Sequence, residues 1–296
     1  MKKTGPKRAL LFVNPHKKHA RDLRDEVLKE LADLNIASDF YSFKGKKGFD
    51  TEEACDVAVC LGGDGTVLSA ARAISPLGVP IFPVNLGTFG FIAGVQPSEW
   101  REVFGKWLGN KAALSKRIML EISVERKGAE VLKGRCLNDV VVSASGIAKV
   151  INLRVYGSEA DSAGYVKLGS YRSDGLIVST PTGSTAYSAS AGGPIVDPEQ
   201  EAFILTPICP FTLSNRSMVL SAAETLMVEV GEEQQSGVLL TVDGQVTEKL
   251  KCRDRIFLKK APYSCLLIAS GRREFYHSLR TKLNWPGGHD GEAGDA

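Results

Sequence analysis

Two short apolar segments end in glycine-rich turns, and this feature constrains the fold more than any other. Residues 57–61 lead directly into GGDGT at 62–66, and residues 79–84 lead into Asn-Leu-Gly at 85–87. The stretch 67–74, which follows the first turn, has the Ala- and Leu-rich composition of a helix. Strands that alternate with helices form parallel sheets, which bind ligands at the carboxyl ends of their strands. Both turns are therefore predicted to lie at one ligand-binding edge.

The residues before these turns show the same alternation. Residues 9–13 form an apolar run closed by Asn14 and Pro15, and residues 20–34 carry apolar side chains at helical spacing with charges between them. This pattern predicts a strand followed by an amphipathic helix. Residues 1–116 are therefore predicted to form an α/β domain around a parallel sheet.

A change in the pattern of apolar residues near residue 118 predicts a second, mostly β domain over residues 117–270. Its apolar runs are short, rich in β-branched residues and separated by turn residues. They lie at 118–124, 139–142, 151–155, 176–178, 226–230, 238–242 and 256–258. Residues 271–285 regain a helical pattern and are predicted to return to the first domain, and residues 286–296 are predicted to form a flexible tail. The expected fold class is therefore α/β.

Composition excludes several classes of protein. Hydrophobic residues make up 43% of the 296 residues, which is enough for an ordinary core and excludes a disordered chain. The formal charge of +3 is far below that of a dedicated nucleic-acid binder, so no nucleic-acid partner is expected. No apolar stretch approaches the length of about 18 residues that a membrane span requires, so no membrane partner is expected. The only apolar run near the start is residues 9–13, so no signal peptide is predicted.

The six cysteines give a prediction of location. None belongs to a CxxC pair, and they are too sparse for a disulfide scaffold in a chain of this length. They are therefore interpreted as reduced thiols, which together with the missing signal peptide predicts a cytoplasmic protein.

The turn GGDGT is predicted to bind phosphate. Glycines let a ligand approach the main chain closely, and the amides at a helix N-terminus attract anions. The predicted phosphate loop is Gly62, Gly63, Gly65 and Thr66. A carboxylate beside a phosphate is disfavoured unless it accepts a hydroxyl proton or holds a metal ion, which makes Asp64 the candidate catalytic residue. The alternative is that Asp-Gly simply forms a tight turn.

Both standard nucleotide fingerprints are missing from the sequence. There is no GxxxxGK[ST] of a P-loop, and GGDG is not the GxGxxG of a dinucleotide-binding turn. An ordinary P-loop kinase or NAD-dependent dehydrogenase is therefore disfavoured.

A second polar segment, YRSDGLIVSTPTGSTAYSASAGGPIVDP at 171–198, is unusually rich in Ser, Thr, Tyr and Gly. Such residues make a poor core but supply short hydroxyl and backbone donors for a ribose or phosphate. The alternative is a plain Ser/Thr-rich loop, although its prolines and glycines restrict the backbone too closely for a linker. Arg172 and Asp174, which precede the apolar run 176–178, either serve a ligand or pair with each other on the surface.

These motifs together resemble the NAD kinase family. The matching segments occur in the family's order and approximate spacing over about three quarters of the chain, and the block at 173–195 is the most specific of them. They are GGDGT at 62–66, NLGTFGFIAG at 85–94, LNDVVVS at 137–143, YRSDGLIVSTPTGSTAYSASAGGPI at 171–195, VDGQ at 242–245 and LRTKLNW at 279–285.

The resemblance implies an enzyme that transfers the γ-phosphoryl group of ATP to the 2′-hydroxyl of the adenosine ribose of NAD, giving NADP. Asp64 would be the base, because the family's GGDG aspartate has that proposed role. A divalent metal ion, Mg²⁺, would accompany ATP, and no His/Cys cluster offers it protein ligands; His16 and His19 are interpreted as part of a solvated basic turn. NAD and ATP would be the small-molecule partners, and the chain would form a homo-oligomer, a dimer or a tetramer.

The resemblance also implies the substrate-binding residues. It carries them over position by position, from the glycine turns, the LND segment, the Ser/Thr-rich block and the DGQ turn. They are Asp64, Gly65, Phe91, Asn138, Asp139, Lys149, Arg172, Asp174, Thr185, Ala186, Tyr187, Ser188, Ser190 and Gln245. Many relatives have Glu where Asp139 stands, so a direct contact here needs a slightly closer ligand. Many members of the family have a shorter polar pair of residues where Thr88 and Phe89 stand here, which leaves the nucleotide preference of this chain open.

Two other functions are compatible with parts of the sequence. A lipid kinase of the diacylglycerol or sphingosine type shares GGDG, but it needs a membrane-binding face, and no strongly basic amphipathic helix is visible. A non-catalytic sensor of NADP(H) would keep the fold and lose turnover, and the retained Asp64 argues against it.

Overall fold

The computed structural model describes residues 6–42, 55–87, 90–159, 164–212 and 214–283. The predicted flexible tail at 286–296 and the Thr88-Phe89 pair lie outside the described residues.

A parallel sheet forms the first part of the molecule. Its strands are β1 Arg8–Val13, β2 Ala37–Ser42, β3 Val57–Gly62 and β4 Ile81–Asn85, in the spatial order β2-β1-β3-β4. All three neighbouring pairs run parallel. Their carboxyl ends therefore share one edge, as the sequence predicts for the two glycine-rich turns.

Helices cover both faces of this sheet. They are α1 Ala20–Asp33, α2 Asp64–Ile74 and α3 Trp100–Leu108. Alternate strand residues point to opposite faces, so Leu11 packs in the core with α1 and α3, whereas Phe12 packs in the core with α2. Burial of both faces explains why these strands are almost uniformly apolar.

The rest of the chain is mostly antiparallel. Its strands are β5 Leu114–Arg126, β6 Ala129–Cys136, β7 Asp139–Ala144, β8 Ile151–Glu159, β9 Val166–Ser173, β10 Gly175–Ser179, β11 Ala202–Ile208, β12 Met218–Ser221, β13 Glu224–Val230, β14 Val238–Val242, β15 Val246–Leu250 and β16 Arg255–Ile268. One sheet has the order β12-β11-β10-β7-β14-β15. It packs on β5, β8, β13 and β16 of the other sheet through a shared apolar core that includes Val124, Val142, Phe203 and Val228.

Strand β16 connects the parallel and antiparallel parts in one sheet. Its first half pairs with β13, and Leu267 near its end pairs in parallel with Ile81 of β4. Strand β5 runs antiparallel to β16 over almost its full length, with an irregularity between Lys260 and Ser264. The structure is therefore of the expected α/β class, with a parallel region and a mostly β region.

The predicted C-terminal helix is α5 Arg272–Lys282, and it lies beside the carboxyl edge of the parallel sheet. The ammonium of Lys282 is 5.6 Å from the ring centre of Phe91, which belongs to the turn after β4. At the other end of α5, Arg272 forms an ion pair with Asp197. The described helices include none that is long and apolar enough to cross a membrane.

Most differences between predicted and observed elements have a simple physical reason. Helix α2 begins at Asp64 rather than at residue 67, because the glycine turn itself forms the first helical turn. Strand β2 is not predicted because half of its residues are exposed and polar residues interrupt its sequence, so it carries no apolar run. Edge strand β12 is not predicted for a similar reason, since most of its residues are exposed.

One glycine in the Ser/Thr-rich segment gives a test of the packing. A Cβ at Gly183 would overlap backbone atoms of Asn138, so Gly183→Ala should lower the free energy of unfolding by about 1–3 kcal/mol. Urea denaturation measures this change. The control is Gly105→Ala in helix α3, where a Cβ meets open space and the substitution should be neutral or stabilising. Equal stability of the Gly183→Ala and Gly105→Ala variants would contradict the close approach.

Candidate active site

Three connecting segments meet at the carboxyl edge of the parallel sheet. The backbone N–H of Asn14, after β1, donates to the carbonyl of Leu61, and the N–H of Leu86, after β4, donates to the carbonyl of Gly62 at 2.7 Å. These hydrogen bonds hold the two glycine-rich turns side by side, as the sequence predicts.

The GGDGT turn is closely packed on itself. A Cβ at Gly62 would overlap the side chain of Thr66, so glycine is required there. The N–H of Thr66 donates to the carbonyl of Gly63, which closes the first turn of α2. The Thr66 hydroxyl is buried and has no hydrogen-bond partner within the described part of the chain. The half-buried residues Gly63, Asp64 and Gly65 form the accessible part of the predicted phosphate loop.

The Asp64 carboxylate is held by the neighbouring turn. It accepts hydrogen bonds from the backbone N–H groups of Phe91, Ile92 and Ala93, at 2.7, 3.1 and 2.9 Å. Gly90 makes this approach possible, since a Cβ there would lie 2.6 Å from Asp64 Oδ1. The carboxylate that sequence analysis singles out therefore orders the turn after β4.

These three bonds leave room for a ligand. An ionised carboxylate has about four acceptor positions, so one remains for a further donor such as a hydroxyl group. Because three amides fix both oxygens, the direction of that remaining position is also fixed. The geometry is that of a preorganised hydroxyl acceptor.

A polar pair, Asn138 and Asp139, lies at the start of β7. The carbonyl of Asn138 accepts from the N–H of Thr180 at 2.8 Å, which ties it to the Ser/Thr-rich segment. Its N–H donates to the Asp243 carboxylate at 2.8 Å, which ties it to the DGQ turn. The Oδ1 atom of Asn138 is buried and lacks a hydrogen-bond partner among the described residues, so it is suited to a ligand donor.

The DGQ turn connects this segment to the GGDGT helix through Arg72. The Arg72 guanidinium donates to the fully buried Asp243 carboxylate at 2.6 Å and to Gln245 Oε1. Gln245 Nε2 in turn donates to the carbonyl of Gly65 at 2.8 Å. A buried ion pair and two further hydrogen bonds thus fix α2 relative to the turn between β14 and β15.

The Asp139 carboxyl lies in an environment that opposes ionisation. Burial, and secondarily the negative charge of Asp243, raises the pKa of Asp139 to about 7. Burial also raises the pKa of Asp243, against the opposing effect of the Arg72 guanidinium. Near neutral pH, Asp139 can therefore either donate or accept a hydrogen bond.

The Ser/Thr-rich segment forms one wall of a cavity whose surface is mostly apolar, named the polar cavity after the Asn138, Asp139 and Asp243 side chains that line it. Residues Thr182–Thr185 form a 3₁₀ turn and Tyr187–Ser190 one helical turn, α4. The cavity has a volume of about 420 Å³. Its lining residues are Asn138, Asp139, Val141, Ser143, Ala186, Tyr187, Thr241, Asp243 and Gly244. It therefore brings together Asn138 and Asp139 with Ala186 and Tyr187, four of the substrate-binding residues that the sequence predicts.

Two predicted residues of this segment have their hydroxyls engaged within the protein. The Ser188 hydroxyl is buried 3.0 Å from Thr206 Oγ1, and Thr185 Oγ1 lies 3.4 Å from the carbonyl of Thr182. Ser190 is exposed at the end of α4. A ligand in the cavity would meet mainly Ala186 and Tyr187.

Three further predicted residues do not line this cavity. Lys149 is exposed in the loop between β7 and β8. The Arg172 guanidinium lies over the ring of Phe211, 4.8 Å from its centre, and among the described residues no ion pair joins it to Asp174. The backbone of Asp174 bonds Ile208 and Ala144, which places it beside the start of β10.

The sequence patterns do not predict a role for Arg72, Lys282 or Asp243. After Asp64, Arg72 is the one charged residue of the apolar helix α2, and this is the only local signal that it has a buried partner. Lys282 belongs to the LRTKLNW segment, but its approach to Phe91 depends on how α5 folds back. The described residues contain no group of three His, Cys, Asp or Glu side chains placed to hold a metal ion.

Fold and site together define a class: an α/β protein whose glycine-rich turn, at the edge of a parallel sheet, meets a polar cavity formed by a second sheet. Two family models match the chain, the ATP-NAD kinase N-terminal domain over residues 44–111 and the ATP-NAD kinase C-terminal domain over residues 137–270. The NAD kinase of Treponema denticola is 42% identical over 95% of this chain and 97% of its own length. That of Geobacter sulfurreducens is 38% identical over 94% and 99%. The chain belongs to the NAD kinase family.

Solved structures agree with this assignment. Yeast NADH kinase in complex with NADH matches with a TM-score of 0.84 over 96% of this chain and 89% of that chain, and its 22% identity makes this a likeness of fold. The NAD kinase of Archaeoglobus fulgidus in complex with ATP matches with a TM-score of 0.70 at 25% identity, over 92% of this chain and 98% of that chain.

The buried ion pair gives a prediction about stability. Arg72→Met should lower the free energy of unfolding by about 3–5 kcal/mol, because it leaves the Asp243 charge buried without its partner. The double variant Arg72→Met/Asp243→Asn should recover part of this loss in urea denaturation. Arg101→Met removes an exposed ion pair to Glu26 and Glu30 and should cost less than about 1 kcal/mol. A double variant less stable than Arg72→Met would contradict the explanation.

The raised pKa of Asp139 gives a prediction about pH. Its carboxyl binds a proton more tightly in the folded chain, pKa about 7, than in the unfolded chain, pKa near 3.8. Its contribution to stability is therefore full below about pH 4 and is lost as pH rises to about 7. Asp139→Asn should raise the Tm relative to wild type at pH 8, with a smaller gain at pH 5, in differential scanning calorimetry. Asp33→Asn, at an exposed site, is the control; a Tm gain independent of pH would contradict the assignment.

Proposed function

We propose that this protein phosphorylates NAD at the expense of ATP. The acceptor oxygen is the 2′-hydroxyl of the adenosine ribose, which forms a bond to the γ-phosphorus as the bond between that phosphorus and its β,γ-bridging oxygen breaks. The hydroxyl proton passes to Asp64, and the products are NADP and ADP. The family relationship supports the reaction, and the fixed acceptor position on Asp64 supports the role of that residue.

The arrangement of the two turns supports a reaction at this edge. Gly65, next to Asp64, accepts a hydrogen bond from Gln245, and Gly244 beside Gln245 lines the polar cavity. A dinucleotide in the cavity would therefore lie close to Asp64. Phosphoryl transfer depends mainly on positioning and charge neutralisation, so an aspartate fixed by three amides is adequate as the base.

Asn138, Asp139, Ala186 and Tyr187 are proposed to bind NAD, because they line the cavity together. Asn138 Oδ1 would accept a hydrogen bond from a ribose hydroxyl or an amide group, which would satisfy a buried acceptor. Gln245, with both ends of its amide bonded, is proposed to act by holding the GGDGT helix in place. Gly63 and Gly65 are proposed to face the phosphates of ATP, whereas the buried residues Gly62 and Thr66 are proposed to shape the loop behind them.

A divalent metal ion, Mg²⁺, is proposed to accompany ATP. When bound, it would neutralise the charge of the phosphate oxygens. The residues fit an ion held largely by substrate and water, as is usual for Mg²⁺, because the described residues contain no cluster of three acidic or histidine ligands.

The remaining expectations concern location, assembly and domain division. All six cysteines are free, which supports a reducing compartment and hence the cytoplasm. A homo-oligomer stays a proposal that rests on the family relationship. The domain division at residues 116 and 270 also stays a proposal.

The reaction and the base are tested together. Wild-type protein incubated with NAD, ATP and Mg²⁺ should produce NADP, measured with an NADP-specific dehydrogenase. Asp64→Asn should lose nearly all turnover but bind NAD within about a few-fold of wild type, because it removes the base and leaves the cavity residues unchanged. Activity of Asp64→Asn close to wild type would exclude Asp64 as the base.

A control separates chemistry from structure. In Asp64→Asn, an NH₂ group replaces one carboxylate oxygen and cannot accept a hydrogen bond from the backbone N–H groups of residues 91–93. The fold of this variant is therefore measured separately. Thermal unfolding of both proteins, and Asp33→Asn as an exposed carboxylate control, should show that Asp64→Asn remains folded. A folded wild-type protein that binds NAD but forms no NADP would favour the sensor function instead.

A further inference from the structure

Helix α5 brings one positive charge to the edge where Asp64 lies. The Lys282 ammonium, in the last turn of α5, is 5.6 Å from the ring centre of Phe91. The backbone N–H of Phe91 donates to the Asp64 carboxylate at 2.7 Å. Ammonium, ring and carboxylate thus form one contiguous group at the end of the parallel sheet.

The Lys282 ammonium is half-buried without a close counter-ion. Among the described residues, no carboxylate oxygen lies within ion-pair distance of its Nζ, although the Asp64 charge is near enough to act on it. Burial lowers the pKa of Lys282, and the Asp64 carboxylate opposes that effect. A cation that is partly removed from water, and that contacts an aromatic ring instead of a carboxylate, is suited to bind an anionic ligand.

Other cations in this region are less suited to that task. Arg72 is neutralised by the buried carboxylate of Asp243 and also bonds Gln245, so its guanidinium is engaged. Lys17 is exposed, and its Nζ would be 3.4 Å from a Cβ at Gly87, on the preceding part of the turn. The GGDGT turn itself contains no lysine, unlike a P-loop.

We propose that Lys282 binds the phosphoryl group during its transfer and neutralises the charge on its non-bridging oxygens. This assignment rests on the proposed NAD kinase reaction and adds a second residue to it. Asp64 takes the proton of the acceptor hydroxyl, while Lys282 stays protonated and moves no proton. A cation at this position stabilises the transition state more than the bound substrates, so it acts mainly on kcat.

Steady-state kinetics of four variants test the assignment. Lys282→Gln should lower kcat by about 100-fold or more, with a much smaller change in the KM for NAD. Lys282→Arg should recover much of this loss because it restores the charge. Arg280→Gln removes an exposed charge from the same turn of α5 and should remain within about two-fold of wild type.

The fourth variant separates charge from packing over Phe91. Lys282→Met keeps an unbranched apolar side chain over the ring and loses only the ammonium, so its kcat should fall as far as that of Lys282→Gln. Thermal unfolding should show all variants folded. A kcat of Lys282→Met close to wild type, or no recovery in Lys282→Arg, would overturn the role of the charge.

A binding experiment keeps this proposal distinct from the NAD kinase reaction. Isothermal titration calorimetry with ATP should show weaker binding to Lys282→Gln than to wild type, whereas adenosine should bind both equally. This result would support a phosphate contact of Lys282 even if wild type formed no NADP, an outcome that would refute the reaction alone. Equal affinities for ATP together with an unchanged kcat of Lys282→Gln would overturn the phosphate contact even if wild type formed NADP.

Discussion

The buried ion pair between Arg72 and Asp243 is the interaction on which the site depends. Removing two charges from water is costly, and the cost is offset here because Asp243 also accepts from the amides of Leu137 and Asn138. Since Arg72 belongs to the GGDGT helix and Asp243 to the turn after β14, the pair fixes two distant parts of the chain relative to each other. The polar cavity and the Asp64 turn keep their relative positions for this reason.

Asp64 shows how one carboxylate can serve both structure and chemistry. Three backbone amides hold it, so the turn after β4 and the candidate base are ordered by the same hydrogen bonds. Glycine is required at Gly90, because a Cβ there would overlap Asp64, and at Gly62, because a Cβ there would overlap Thr66. The glycine-rich motifs are thus explained first by close packing, and the phosphate contact that we propose uses the surface that this packing leaves.

Local patterns predicted most of the strands whose residues are buried on both faces, the helices with apolar spacing and the edge where the glycine turns meet; the buried strand β11 was not predicted. They also did not predict β2, β6, β9, β12 and β15, because strands with many exposed residues carry no continuous apolar run. For the site, Asn138, Asp139, Ala186 and Tyr187 were named from sequence and line one cavity. The direct roles of Gln245 and Ser188 stay predictions, and their side chains already have protein partners.

The sequence by itself determined the α/β class, the phosphate-loop candidate and the family, because these depend on residue type and spacing along the chain. Only the tertiary structure decided what each charge faces. Arg72 and Asp243 are separated by 171 residues, and Lys282 reaches Phe91 from the far end of the chain. Such pairs depend on how strand β16 and helix α5 return to the parallel sheet. Charge and burial act through space, so no local pattern in the sequence records them.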